Sequence, residues 1–332
     1  MKAVVVGSGA WGTALAIRLC KNGHDVTMWT YEKDLIPEME ASRRNPRLPG
    51  AVLPEGLKLS GDYACAVGAK LVVMASPSFP LRSVCKGVAP YIDEDASVVS
   101  VTKGLEQGTH LRMSEVVAQE TGKDVVVLTG PSHAEEVSID VPTGLLSAST
   151  DQKKAEFVQD AFMSDTLRVY TSADPAGAEL GAALKNVIAL CAGITDGLGF
   201  GDNTKAMLMT RGLTETARLG VALGAKKETF TGLAGVGDLI VTSTSKHSRN
   251  RRAGILIGQG KNAQEAMKEV GAVVEGYYAA KSAYELGKAK GIDMPITEAA
   301  YKVLYEGADV REAVQSLLAR QRKAESENPG WL

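Results

Sequence analysis

Apolar residues in the first half of the chain fall in short β-branched runs, separated by stretches with helical spacing. The runs at 3–6, 25–29, 70–75, 97–101, 124–128, 143–149 and 167–171 read as strands. Several are apolar throughout rather than alternating, as strands covered on both faces are. Segments such as 11–22 and 114–121 carry apolar residues at helical spacing between them. This rhythm predicts an α/β fold whose N-terminal part is a doubly wound, mostly parallel sheet.

The rhythm changes after residue 171. Asp174-Pro175 opens a helix, with a capping acid before a proline at the first helical position. Helices are then predicted at 175–197, 204–223, 252–258, 263–268, 276–290, 297–304 and 310–323, giving an all-α C-terminal domain. The changeover is placed near 172–185, with the first long helix packed across it. The expected division is an N-terminal domain over 1–180, a helical domain over 181–323 and a polar tail over 324–332.

Composition narrows the function. The 332 residues are 45% hydrophobic and 23% charged, which excludes disorder and fibrous repeats. A net charge of −2 argues against a nucleic-acid binder or a polybasic membrane binder. Cys20, Cys65, Cys85 and Cys191 lie far apart and the four histidines are unclustered, so no metal site is expected. The thiols read as buried hydrophobes in a reducing compartment. Only four apolar residues separate Lys2 from Gly7, too short a run for a signal sequence, and no 18-residue apolar stretch is found elsewhere. A cytoplasmic location without membrane insertion is expected.

The strongest local signal is Gly7-Ser8-Gly9-Ala10-Trp11-Gly12, directly after the first strand and opening a helix. In this context Gly7 allows a tight turn, Gly9 the approach of a pyrophosphate, and Gly12 close packing of helix on strand. The helix N-terminus offers free N–H groups to the phosphates. A Rossmann-like dinucleotide site follows. Which nicotinamide dinucleotide it takes stays open: Glu32 lies about 20 residues after Gly12, where an acid binds a ribose 2′-hydroxyl, while Lys33, Arg43 or Arg44 could meet a 2′-phosphate. All four also read as plain surface charges.

Ligands in such a sheet bind outside the carboxyl ends of the strands. Three predicted strands run there into Ser76-Pro77-Ser78, Thr102-Lys103-Gly104 and Thr129-Gly130-Pro131-Ser132. On the long helix, Lys185 lies off the apolar stripe of Leu180, Leu184, Val187, Ile188, Cys191 and Ile194, in a row of alanines. Small neighbours let a second surface approach and desolvate the amine, which suits an acid–base catalyst; the alternative is a packing face with Lys185 reaching to water. Asp238 ends a glycine loop at 232–238, either to orient a lysine, to bind a hydroxyl or to cap a helix. Ser248-Arg249-Asn250, before a helix, suits one small phosphate or carboxylate. The glycine-bracketed acid at 271–276 has no independent reading.

Together these residues resemble the NAD(P)-dependent glycerol-3-phosphate dehydrogenase family in its bacterial form. The likeness runs in order through GSGAWGTALA, TKGLE at 102–106, GPSHAEE at 130–136, LKNVIAL at 184–190, DGLGFGDNTKA at 196–206, TRGLTE at 210–215, GLAGVGDL, SRNRR, VVEGY at 273–277 and MPIT at 294–297. It implies reversible hydride transfer between dihydroxyacetone phosphate and sn-glycerol 3-phosphate, with NAD or NADP as cofactor, supplying the phospholipid backbone. Lys185 would be the proton donor and acceptor, and Lys103 would touch cofactor and substrate. Gly130, Ser132, Asp238, Ser248, Arg249 and Asn250 would complete the substrate site, with Arg249 the main phosphate ligand and near the cofactor. Ala10, Trp11, Tyr31, Ala134, Val273 and Glu275 match the family's cofactor positions. Ala10 stands where many members have Ser, and Tyr31 where a basic residue is frequent, which weakens the case for strong NADP preference. A homodimer is compatible with the resemblance. The rival readings are a β-hydroxyacid-type dehydrogenase acting on a carboxylate, which Arg249 could also bind, and a nicotinamide-sensing regulator without turnover.

Overall fold

The computed structural model describes residues 1–325. Eight strands form one sheet in the order β3-β2-β1-β4-β5-β6-β7-β8. They are β1 (Lys2–Val6), β2 (Asp25–Trp29), β3 (Lys58–Ser60), β4 (Leu71–Met74), β5 (Ser97–Ser100), β6 (Val125–Thr129), β7 (Thr143–Ala148) and β8 (Leu167–Ser172). The first six pair in parallel; β7 runs antiparallel to β6, and β8 pairs in parallel with β7. The Val and Leu runs of the central strands are buried on both faces: on β1, Val5 joins one apolar core and Val4 and Val6 the other. Edge strand β8 instead alternates, with Leu167 and Val169 buried and Arg168 and Tyr170 exposed. The sequence pattern missed β3, whose three partly exposed residues are too few to show a period.

The sheet ends at Ser172 and a central helix, Pro175–Gly197, begins at once. Asp174 caps it through the Gly177 N–H at 2.9 Å, and its other carboxylate oxygen accepts from Lys226 N at 2.9 Å and Thr229 Oγ1 at 2.6 Å. Leu180, Leu184 and Ile194 do not form an amphipathic stripe as expected, because every residue from Gly177 to Thr195 is buried. An 18-residue window of this helix also reaches a mean hydropathy of 1.3, contrary to the expectation that no such stretch exists. Its complete burial marks it as the core of the helical region.

Helix Arg249–Gly258 crosses the central helix at very close range. A Cβ on Gly254 would run into the Leu190 carbonyl, and one on Gly193 into the Arg251 carbonyl. Gly197 and Gly258 meet one turn further along. Glycine on both helices lets the backbones touch, which sets the N-terminus of Arg249–Gly258 beside Lys185 and Asn186.

Other boundaries differ from expectation in detail. The predicted helix at 252–258 begins three residues earlier, at Arg249, and the one predicted to run to 323 ends at Leu318. The glycine stretch before Asp238 is not a loop but a π-helical turn, Leu233–Gly237, feeding directly into helix Asp238–Thr244. Part of the predicted tail, 326–332, lies outside the described residues.

Candidate active site

Four of the loops at the carboxyl edge of the sheet, after β1, β4, β5 and β6, carry the predicted chemistry. After β1, Gly7 adopts a φ of +132°, and a Cβ there would lie 2.6 Å from the Ala75 carbonyl oxygen. A Cβ on Gly12 would run into the Gly7 carbonyl. Gly9 faces open space, and it heads helix Ala10–Lys21 with no side chain capping the free N–H groups. Trp11 Nε1 is buried without a hydrogen-bond partner. A bare helix start and open room at Gly9 fit the pyrophosphate of a dinucleotide. Tyr31, just past β2, is 83% exposed at this edge.

The decisive geometry lies around Asp238. Its carboxylate is buried and holds two ammonium groups: Lys185 Nζ at 2.6 Å and Lys103 Nζ at 2.7 Å. Lys103, on the loop after β5, also donates to the Gly130 carbonyl at 3.0 Å, and Ser132 Oγ donates to that same carbonyl at 3.0 Å. Lys185 donates as well to Thr242 Oγ1, one turn after Asp238 on its helix. Burial lowers Lys185 to about 7; Asp238 opposes this, and the second ammonium of Lys103 adds to it. Burial alone would raise Asp238, yet the two lysines hold it below the ordinary carboxylate range.

A chain of contacts closes into a ring from there. Asn186, beside Lys185, accepts from Asn250 Nδ2 at 2.9 Å, and Asn250 Oδ1 accepts the Gly276 N–H at 2.8 Å. Gly276 must be glycine, since a Cβ would lie 2.5 Å from the Asn186 carbonyl oxygen. Its neighbour Glu275 accepts from Ser78 Oγ at 3.2 Å, on the loop after β4. A Cβ on Gly104 would touch both Ser78 and Glu275 at 3.2 and 3.5 Å, which returns the ring to Lys103. Burial raises the Glu275 carboxyl, against Ser78 and Arg249.

These contacts refine the expected roles. The amide of Asn250 is engaged at both ends within the protein, and Ser248 Oγ caps its helix by accepting from Arg251 N at 3.2 Å. Arg249 is left exposed at that helix start, with no hydrogen bond or ion pair among the described residues. Ala134 is buried at the start of the short helix Ala134–Val137, and Val273 is 46% exposed beside Glu275. Arg43 donates to the Leu53 and Pro54 carbonyls and Arg44 to the Pro49 carbonyl at 2.8 Å, so both are engaged with backbone. Sequence reasoning missed Thr242, Asn186 and His133. Thr242 was legible, four residues after Asp238 on one helix face. His133 is half-buried with Nε2 unpartnered, its ring centroid 5.8 Å from that of His247. Among the described residues no group of three or more His, Cys, Asp or Glu could hold a metal.

Two family models cover nearly the whole chain. The N-terminal model of NAD-dependent glycerol-3-phosphate dehydrogenase matches residues 2–155 and the C-terminal model residues 174–315. The chain belongs to the NAD-dependent glycerol-3-phosphate dehydrogenase family. Within it, the chain is 51% identical to the glycerol-3-phosphate dehydrogenase (NAD(P)+) of Clostridium acetobutylicum, over 96% of this chain and 97% of that protein. It is 52% identical to the enzyme of the same name from Geobacillus kaustophilus, over 98% and 96%. The crystal structure of glycerol-3-phosphate dehydrogenase from Coxiella burnetii superposes with a TM-score of 0.91 at 39% identity, covering 96% of this chain and 99% of that one. Family membership accounts for both halves of the ring, since the sheet-edge loops fall in one model and Lys185, Asp238 and Glu275 in the other.

Proposed function

We propose that this chain is an NAD(P)-dependent glycerol-3-phosphate dehydrogenase, transferring hydride reversibly between dihydroxyacetone phosphate and sn-glycerol 3-phosphate. The observation that carries the reading is the buried Asp238 carboxylate shared by Lys185 and Lys103 at 2.6 and 2.7 Å. When bound over the glycine turn, a nicotinamide dinucleotide would supply or accept the hydride. Gly7, Gly9, Ala10, Trp11 and Gly12 would hold its phosphates, and Tyr31, Ala134, Val273, Glu275 and Arg249 would line the rest of its site.

Reduction of a ketone places negative charge on its oxygen. The Lys185 ammonium, close to neutral working pH and shielded from water, stabilises that oxygen and gives it a proton. In the reverse direction neutral Lys185 accepts the proton of the alcohol. Asp238 fixes the Nζ position, with Thr242 as its second anchor, and Lys103 keeps the local charge positive toward an anionic substrate. Arg249, exposed and without a side-chain hydrogen bond or ion pair among the described residues, takes the substrate phosphate, and that remote contact orients the carbonyl. Gly130, Ser132, Ser248 and Asn250 shape the wall of the pocket. The product is a phospholipid backbone precursor, and the reading places the enzyme in the cytoplasm.

The test is loss of nicotinamide absorbance on adding dihydroxyacetone phosphate, with NADH and NADPH in parallel and an equal concentration of a 2-keto acid as the rival substrate. Rapid oxidation with the phosphate ester alone is expected. Oxidation only with the keto acid would reassign Arg249 to a carboxylate. Cofactor binding without oxidation of either would leave a nicotinamide-binding protein and refute the reading.

A further inference from the structure

The ribose end of the cofactor cleft holds an acid and a base in contact. Glu32 lies just past β2, where an acid accepts from a ribose 2′-hydroxyl in such folds. Its Oε1 accepts from Arg47 Nη2 at 2.6 Å. Arg47 is carried there by a loop fixed to the glycine turn itself. Buried Asn45 donates to the Ser8 carbonyl at 2.8 Å and to Thr13 Oγ1 at 2.7 Å, and its Oδ1 accepts the Arg47 N–H at 2.9 Å. The turn that meets the pyrophosphate and the cation beyond it therefore form one rigid unit.

Among the described residues Arg47 is the cation paired with Glu32. Arg43 and Arg44 are bound to backbone carbonyls, and the aliphatic stem of Lys33 lies over Gly61, after β3. The Arg47 and Glu32 side chains keep 58% and 39% of their surface exposed, so a ligand reaches both.

We propose that Glu32 and Arg47 together read the 2′ position of the cofactor. Glu32 accepts from the 2′-hydroxyl of NAD(H), and Arg47 donates to the 2′-phosphate of NADP(H). Each serves as the other's counterion when its own ligand group is absent. Glu32 without Arg47 would repel a 2′-phosphate by like charge. Arg47 has five N–H donors in a planar fork, and the structure uses only one of them on Glu32, which leaves a face for phosphate oxygens. An exposed ion pair is held weakly, so an incoming phosphate opens it at little cost. The inference rests on the glycine turn being the pyrophosphate site.

Equilibrium binding tests it without turnover: NADH and NADPH, with ADP and adenosine 2′,5′-bisphosphate as fragment probes, against wild type, Arg47→Ala and Glu32→Gln. Arg47 is exposed, so its replacement leaves the fold intact, which a melting curve checks. In Arg47→Ala the NADPH-to-NADH affinity ratio is expected to fall by about fivefold or more, with the bisphosphate weakened in step and ADP little changed. In Glu32→Gln the same ratio rises. A ratio that moves by less than that in Arg47→Ala, including an equal loss of both dinucleotides, overturns the proposal. Wild-type protein that binds neither dinucleotide overturns the glycine-turn reading and this inference with it; wild-type binding with an unmoved ratio overturns this inference alone.

Discussion

A lysine removed from water holds its proton less firmly, and Lys185 is in that condition with a carboxylate at 2.6 Å and a second ammonium nearby. Ketone reduction needs the protonated form and alcohol oxidation the neutral one. kcat/KM for reduction should therefore fall as pH rises through about 7, the value burial gives Lys185 in the free enzyme, while kcat/KM for oxidation rises over the same range. Initial-rate profiles in both directions check this; two profiles of the same sign would contradict it. On the proposed reading Arg249 would bind the substrate phosphate, away from the reacting oxygen. Arg249→Ala should raise the Michaelis constant for dihydroxyacetone phosphate by about tenfold or more and change kcat much less, as loss of a charged hydrogen bond to phosphate implies. Both residues were legible in sequence as candidates. Their partners were not: spacing gives no sign that Lys103 and Lys185, 82 positions apart, share one carboxylate.

Among the elements, two glycine-bearing helices decide where the site forms. Gly193 and Gly197 of the central helix face Gly254 and Gly258 of its neighbour with no room for a Cβ. Gly254→Ala forces the backbones apart and should destabilise the protein by about 1–3 kcal/mol, the usual cost of overpacking, measurable by chemical denaturation. A neutral result would show that the crossing relaxes freely. The central strands were readable because short β-branched runs, apolar throughout, are what strands covered on both faces require. The reversal of β7 was not, since strand direction leaves no trace in periodicity. The glycine run at 232–238 read as a loop, yet Leu233–Gly237 is a π-helical turn. There a Cβ on Gly235 would collide with the Phe230 carbonyl, so that glycine serves packing rather than freedom.

At the scale of the molecule, the sheet and the helices meet along the central helix, and the ring around Asp238 draws on both. A second buried carboxylate secures that junction. Glu179, six residues before Lys185, accepts from Ser114 N at 2.7 Å, Ser114 Oγ at 2.5 Å and Arg112 Nη1 at 2.8 Å, at the start of helix Met113–Thr121 on the sheet side. Glu179→Ala takes the acceptor from the Ser114 N–H and hydroxyl, while Arg112 keeps Ser114 Oγ and Glu115 as partners, and should cost about 1–3 kcal/mol, read as a lower denaturation midpoint. A loss below about 1 kcal/mol would mean that water replaces the carboxylate there. The division into a sheet part and a helical part was plain from the change of rhythm near residue 172. The joint itself was hidden, because contacts between residues far apart in sequence carry no local pattern.

The acid–base role of Lys185 is tested most directly by single-turnover hydride transfer in Lys185→Ala, with NADPH prebound and dihydroxyacetone phosphate in excess. The expected result is a rate lower by about 10²–10⁴-fold with cofactor affinity unchanged, the range that general acid–base groups supply. A rate near that of the wild type, in protein that binds cofactor normally, would contradict it and pass the proton to another group, with Lys103 the next in reach of Asp238.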